Sequence, residues 1–375
     1  MKIGILTFHR AHNYGAVLQC YALQEVLKSM GHNVQVIDYR HPYTEYTYKV
    51  FSLCKIISFF NYKHPLGFLK NILRYFKAIK KRKERRLIYN SFVKKNLNTT
   101  NPCDDENIPQ NMDLYIIGSD QLWGMICIAG KYKDGLEDKV YMGNFRRGAH
   151  SRLIGYAISS NVKSIETIKK ESLINYVNKF NAISFREEEI SKLVEEKTGV
   201  KTRTDIDPTL LTEKTTWQHL LNDNWKKRKY LLFYQVRVPK GDVLRINAKE
   251  LAKQEKLEFV DLSNMTYSVE DFVSAFAYAK CVITSSFHAT VFSLIFERQF
   301  YSVQLYDGHD GRYVNLLKLL GAEDALSDIN IKNHSLKKLN LNYSLINNNL
   351  ATLRNKSLYY LSANTKSFKS QEKML

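Results

Sequence analysis

Residues 281–300 read CVITSSFHATVFSLIFERQF. The apolar run CVI predicts a strand, TSSFH a polar turn, and ATVFSLIF a strongly apolar helix that begins at once. In open α/β sheets, ligands bind beyond the carboxyl ends of the strands, where loops lead into helix N-termini. Thr284, Ser285, Ser286 and His288 stand at such a place. Backbone N–H groups and hydroxyls there suit a phosphate, and a histidine can donate to it or move a proton near neutral pH. A buried capping histidine is the plain structural alternative. So many polar groups are costly at an apolar strand–helix junction, which favours a functional reading.

Working outward, the same alternation recurs. KIGILTF (2–8) predicts a strand, AVLQCYALQEVLKSM a helix closed by Gly31, and VQVIDY (34–39) the next strand, a unit sized for a right-handed parallel crossover. Strands are predicted again at DLYIIGS (113–119), RLIGYAIS (152–159) and AISFR (182–186), with helical spacing in ETIKKESLINYVNKF between the last two. A second series runs through YLLFYQV (230–236), LEFVDLS (257–263), CVITSS and FYSVQLY (300–306), with helices around 242–255, 270–279, 288–297 and 312–320. RTDIDPTLL (203–211) has an Asp before Pro and few strong helix signals, so the domain boundary falls near 205. The expectation is α/β, with two Rossmann-like domains at 1–205 and 206–375, the second ending in a helix and a loose tail.

A chain of 375 residues with 44% hydrophobic residues can fill two cores, and 25% charged residues without low-complexity tracts argue against disorder. Cys20, Cys54, Cys103, Cys127 and Cys281 are scattered without a CxxC pair or a zinc spacing, so reduced thiols and no metal are expected. MKIGILTF turns polar at HRAHN, and no run of 18 apolar residues occurs, so a cytoplasmic protein is expected. The net charge of +19 is concentrated. Between Lys63 and Lys95 twelve basic residues face the single acid Glu84, which puts +11 in one segment. Leu66, Leu69, Ile72, Leu73, Phe76 and Ile79 fall three or four apart within it, so a basic amphipathic insertion is predicted at about 55–95. A nucleic-acid-binding protein would explain the charge, but charge this localised, with no recognition motif, argues against it.

Two further polar sequences lie at predicted strand ends. HRAHNYGA offers His9, His12, Asn13, Tyr14 and Gly15 ahead of a helix, and an ordinary strand-to-helix turn is its plain alternative. GSDQLW offers Gly118, Ser119, Asp120 and Gln121; a carboxylate there suits a general base or a substrate hydroxyl, and a helix cap is the alternative. Arg186 in ISFREEE follows another strand and reads as a surface ion-pair residue or a grip for an anion. No GxxxxGK[ST], HExxH or GxSxG occurs.

At these motifs the chain resembles the polysaccharide pyruvyl transferase family, from Met1 to roughly Leu326, through KIGILTFHRAHNYGAVLQCYALQ, YIIGSDQLW, ISFREEE, DPTLLTEKTTW, TSSFHATVFSLIF and GRYVNLLKLLGAEDAL. The resemblance implies a GT-B-like arrangement of the two domains about a cleft. It implies transfer of the enolpyruvyl group of phosphoenolpyruvate to two sugar hydroxyls, with phosphate released, a cyclic ketal formed and no cofactor. His288 then matches the essential histidine and Arg186 the donor-binding arginine, and the chemistry of ketal formation suggests Asp120 as the catalytic group that orients or deprotonates the acceptor. Arg186, Ser285 and Ser286 belong to the donor side, and His12, Asn13, Tyr14, Gly15, Ser119 and Gln121 to the acceptor side. Some relatives carry Arg where this chain has Ser286, so another cation must supply that charge, and Arg312 is the candidate. An acceptor on a polyprenyl diphosphate would bring residues 63–95 into peripheral contact with the inner face of an anionic membrane. The competing enzyme reading is a GT-B-type glycosyltransferase using a nucleotide sugar, for which no nucleobase pocket or acidic ribose ligands can be located.

Overall fold

A computed structural model describes residues 1–41, 45, 47–51, 65–124, 138–264, 266–308, 310–334 and 339–366, with backbone alone at 65–70. Cys54, Cys127, the first part of the basic insertion and the C-terminal tail lie outside the described residues. Cys20, Cys103 and Cys281 are free and buried.

The apolar runs fold as two parallel sheets. The first has six strands, β1 (Lys2–Leu6), β2 (Asn33–Val36), β3 (Leu114–Ile117), β4 (Arg152–Ile158), β5 (Ala182–Phe185) and β6 (Arg203–Thr204), in the order β2-β1-β3-β4-β5-β6. The second has β7 (Tyr230–Tyr234), β8 (Glu258–Asp261), β9 (Cys281–Thr284), β10 (Gln299–Val303) and β11 (Leu326–Ser327), in the order β11-β10-β9-β7-β8. Strands covered by helices on both faces read as continuous apolar runs, which explains why LYII, YLLFY and CVIT are buried throughout. Each sheet begins one strand in from an edge and is wound outward both ways. The direction of winding reverses between β1 and β3 in one sheet and between β7 and β9 in the other.

The helices are α1 (Tyr14–Ser29), α2 (Pro65–Asn96), α3 (Val162–Thr167), α4 (Lys170–Val177), α5 (Glu188–Thr198), α6 (Pro208–Leu211), α7 (Lys214–Gln218), α8 (Val243–Gln254), α9 (Val269–Tyr278), α10 (Phe287–Ile295), α11 (Gly311–Leu320) and α12 (Tyr343–Thr365). Asn13 caps α1 by accepting from Gly15 N at 2.9 Å, and Gly31 follows it with φ 84°, a left-handed conformation that glycine adopts without penalty. The described part of the basic insertion is one 32-residue helix, Pro65–Asn96.

Two features depart from the sequence expectation. VQVIDY leaves the sheet after Val36, and Tyr39 meets Cys103 only through an isolated bridge. RTDIDPTLL is no bare linker: it forms β6 and α6, capped by Asp207 with Pro208 at its first position, and Leu210 is buried. The arrangement is two Rossmann-like units, as expected. The core on one face of the first sheet is continuous with that of the second unit, with Tyr21 of α1 meeting Trp217 and Trp217 meeting Phe292 of α10, and the other face of the first sheet has a separate core. The last helix returns to the first sheet, where Tyr360 donates to Gly155 O at 2.8 Å and Ser357 to Asp205 at 2.9 Å.

Candidate active site

The loops at both points of reversal line one cavity of about 220 Å³. Asn13 and Gly15 follow β1, Asp120 and Gln121 follow β3, Tyr234 ends β7 and Arg237 follows it, and Ser285, Ser286 and His288 follow β9. This is the crevice where doubly wound sheets place ligands, here built from two sheets at once.

The TSSFHAT turn is shaped by Thr284, whose hydroxyl donates to Tyr234 O at 2.6 Å and accepts from Ser286 N at 3.0 Å. Ser286 stands at the N-cap of α10, yet its side chain makes no capping bond. Ser285 is buried, and its hydroxyl has no hydrogen-bond partner among the described residues. The His288 side chain is 12% exposed, and its Nε2 is likewise without a hydrogen bond, the nearest carboxylate being Asp207 Oδ2 at 3.7 Å. Buried polar atoms without partners are uncommon in folded proteins, and two in one turn mark a place built for something else to bind. The imidazole lies against Gly15 of the other domain, where an added Cβ would sit 2.0 Å from Nδ1. Gly15 therefore answers to the histidine across the cleft.

Behind the imidazole is a buried ionic cluster. Arg186 donates through Nη1 to Asp207 Oδ2 at 2.7 Å and through Nη2 to Ser159 Oγ at 2.8 Å, with its guanidinium 4.6 Å from the centre of the Phe287 ring. Asp207 is fully buried. Burial alone would raise its carboxyl, but His288, Arg186 and Thr209 outweigh that and hold it well below the usual carboxylate range. Its two oxygens divide the work: Oδ1 accepts from Thr209 N and Oγ1 to cap α6, and Oδ2 faces Arg186 and His288.

Arg312, at the start of α11, borders the cavity without an ion pair or hydrogen bond among the described residues. Burial pushes its guanidinium pKa down, and the charge of Arg186 pushes it further, so an anion beside it would relieve both. Arg237 borders the same cavity but is already paired, with Asp307 and with Asp310 at 3.1 Å. Phe287 and Arg312 also border a second chamber of about 710 Å³ reaching Lys318, Leu353 and Lys356.

Of the residues singled out in the sequence, Asn13, Gly15, Asp120, Gln121, Ser285, Ser286, His288 and Arg312 line the cavity together. Arg186 lies behind Phe287 rather than in the lining. His12, Tyr14 and Ser119 do not line it, although the Ser119 hydroxyl reaches Asp207 Oδ2 at 3.5 Å behind the imidazole. His12 stacks on Tyr89 of α2 with ring centroids 5.3 Å apart, and burial with Arg85 and Arg86 lowers its pKa to about 4. Tyr14 is buried and donates to Tyr267 O at 2.8 Å. Ser119 is buried and donates to Ala157 O at 2.7 Å. Asp120 has φ 82°, which Asp tolerates better than most residues, and its Oδ1 accepts from Gln121 N at 2.8 Å. The sequence reading missed Asp207 as a site residue, although the DPTLL motif carries it, and it missed Arg237, whose isolated position after YLLFYQV gave no signal. Among the described residues no three His, Cys, Asp or Glu side chains converge as a metal-holding group.

The family model described as polysaccharide pyruvyl transferase matches residues 13–305. No curated protein matches the chain. Among solved structures, UDP-N-acetylglucosamine 2-epimerase from Rickettsia bellii is similar at 8% identity and a TM-score of 0.42, covering 97% of this chain and 99% of that one. The glycosyltransferase SnogD from Streptomyces nogalater is similar at 9% identity and a TM-score of 0.43, covering 96% and 95%. Spinosyn forosaminyltransferase SpnP is similar at 12% identity and a TM-score of 0.39, with the same coverage. Likeness at this level says nothing about what the chain acts on. The family match spans most of the chain and every loop that lines the cavity except the Arg312 turn, so the chain belongs to the polysaccharide pyruvyl transferase family and is a transferase with a pyruvyl-transfer role in polysaccharide biosynthesis.

Proposed function

We propose that this chain moves the enolpyruvyl group of phosphoenolpyruvate onto two hydroxyls of one sugar, forming a cyclic pyruvate ketal and releasing phosphate. The observation that carries this reading is the convergence in one cavity of the Arg312 guanidinium, which has no ion pair or hydrogen bond among the described residues, with the Ser285 hydroxyl and His288 Nε2, neither of which makes a hydrogen bond there. A small donor bearing both a carboxylate and a phosphate supplies what all three lack. The guanidinium that some relatives carry at the Ser286 position is replaced, in this reading, by Arg312 of α11.

Ketal formation requires a proton on the methylene carbon of the donor and the loss of one proton from each sugar hydroxyl. His288 gives its proton to the methylene carbon as the first hydroxyl oxygen bonds to the adjacent carbon. The second hydroxyl then displaces phosphate from that carbon, its proton leaving with the phosphate or through a base. Asp120, across the cavity from the TSSFHAT turn, orients or deprotonates the acceptor. Asp207 acts through others, holding Arg186 at 2.7 Å and facing His288.

The test is incubation with phosphoenolpyruvate and a panel of lipid-linked and model glycosides, read by mass spectrometry for the ketal and by phosphate release. His288→Gln should lower both by about 10²–10⁴-fold, the range for losing a positioned acid. Near-normal release by His288→Gln would refute the role of His288. Turnover of a nucleotide sugar with no ketal on any acceptor would instead establish a glycosyltransferase.

A further inference from the structure

Helix α2 presents two unlike faces. On the inner one Tyr75, Tyr89, Phe92 and Val93 are buried, and Phe92 meets Tyr21 of α1. Basic side chains on its flank tie it to the second domain: Arg85 donates to Asn264 O at 2.7 Å, and Lys81 to Asn264 Oδ1 at 3.3 Å. The outer face is different. Leu73 is 55% exposed, Phe76 51% and Leu87 61%. With Lys80 and Lys83 they fall three or four residues apart, so all five share one stripe that the core does not cover. Arg74, Lys77, Lys94 and Lys95 are exposed around it, Lys95 lies 3.9 Å from Glu270, and Glu84 is the single acid of the helix itself.

A helix face meant only for water has no use for three large apolar side chains. A face meant for nucleic acid would use the lysines and leave two leucines idle. An anionic bilayer uses both, because apolar side chains enter the boundary between headgroups and acyl chains while lysines keep their ammonium groups among the lipid phosphates. No helix among the described residues is long and apolar enough to cross a membrane, so the contact would lie in the interface. We infer that the outer face of α2 docks this protein on an anionic lipid surface, with Leu73, Phe76 and Leu87 inserted and Lys77, Lys80 and Lys83 on the headgroups. None of these residues lines the cavity, so the inference stands apart from the proposed reaction.

The experiment is co-sedimentation of the full chain with phosphatidylcholine vesicles, with and without phosphatidylglycerol, over a series of salt concentrations. Binding should require the anionic lipid and weaken as salt rises. The triple variant Leu73→Gln, Phe76→Gln, Leu87→Gln should lose about tenfold or more of its partitioning at low salt. Because all three side chains are exposed, its thermal midpoint should match the parent, which separates lost docking from lost folding. The variant Lys77→Gln, Lys80→Gln, Lys83→Gln should flatten the salt dependence. Equal binding to neutral vesicles, unchanged binding by the apolar triple variant, or salt-sensitive retention of single-stranded RNA without vesicle binding would each overturn the inference, the last in favour of a nucleic-acid face.

Discussion

Two polar turns face each other across the cleft, HRAHNYGA after β1 and TSSFHAT after β9, and they spend their polar groups in opposite ways. In the first, almost everything is paired within the protein. His9 Nε2 lies 2.9 Å from Asp38, Arg10 donates twice to the same carboxylate at 2.8 and 2.6 Å, Asn13 caps α1 and Tyr14 reaches Tyr267. Burial alone would raise the Asp38 carboxyl, but hydrogen bonds from His9 and Arg10 keep it far below the usual range. In the second turn, Ser285 Oγ and His288 Nε2 make no hydrogen bond among the described residues, and Arg312 stands beside them without one. Both turns are rich in polar side chains. What separates scaffold from site is whether those groups are already satisfied.

The contact that joins the turns is the sharpest place to break this contrast. Gly15→Ala puts a methyl group where the His288 ring now lies, and a displacement of about 1 Å at a reacting group costs on the order of 10²-fold in rate. Alanine is a better helix former than glycine, so helix propensity gives no reason for the thermal midpoint to fall far. Normal turnover in this variant would mean that the imidazole need not lie where it does. A smaller effect is expected at Arg312. Arg312→Gln should raise KM for phosphoenolpyruvate by roughly 10–100-fold, the worth of one charge-assisted contact, and leave the melting temperature equal or higher, because the cation removed is buried beside Arg186 and only partly offset by Glu187 and Asp120. Arg10→Gln, in the paired turn, should do the reverse and lower the melting temperature with little change in KM. The smallest effect belongs to His12. Its folded pKa of about 4 lies below the unfolded value of 6.5, so unfolding takes up a proton at mildly acidic pH. The stabilisation this gives is complete above pH 6.5 and is lost as the pH falls toward 4. His12→Gln should flatten that part of a melting-temperature profile, and an unchanged slope would place the acid sensitivity in another group.

The strands were legible because each is an apolar run long enough to show its character, and the helices because apolar residues recur at 3.6-residue spacing. β6 and β11 were not, since two residues carry no period, and Arg203–Thr204 and Leu326–Ser327 pair only because a longer neighbour is already in place. In the cleft, the sequence picked out the polar residues at strand ends but not their direction. Ser119 and Asp120 are adjacent, yet one faces Ala157 O and the other borders the cavity. Gly118 helps set that direction: its φ of 132° and the carbonyl of Tyr156, 2.0 Å from where a Cβ would be, leave room for no side chain. Asp207 escaped notice because an Asp before Pro at a helix start reads as a cap, which it is. Its second oxygen is the one that meets Arg186 and faces His288, and only the fold brings those three together.

The continuous interior beneath the cleft has a consequence for how the molecule comes apart. Tyr21, Trp217 and Phe292 are common to both halves, and the last helix is fastened to the first sheet through Ser357 and Tyr360. One face of the first sheet keeps a core of its own, but the core on its other face is shared with the second half, so each half would expose large apolar side chains if made alone. Heat should therefore undo both sheets in a single cooperative step, and the cleft with them. The chain crosses between its sheets twice on the same side, at 205–212 and again along α12, where Arg354 holds Leu210 O. Such a joint favours a cleft assembled once, during folding, over one rebuilt at every turnover.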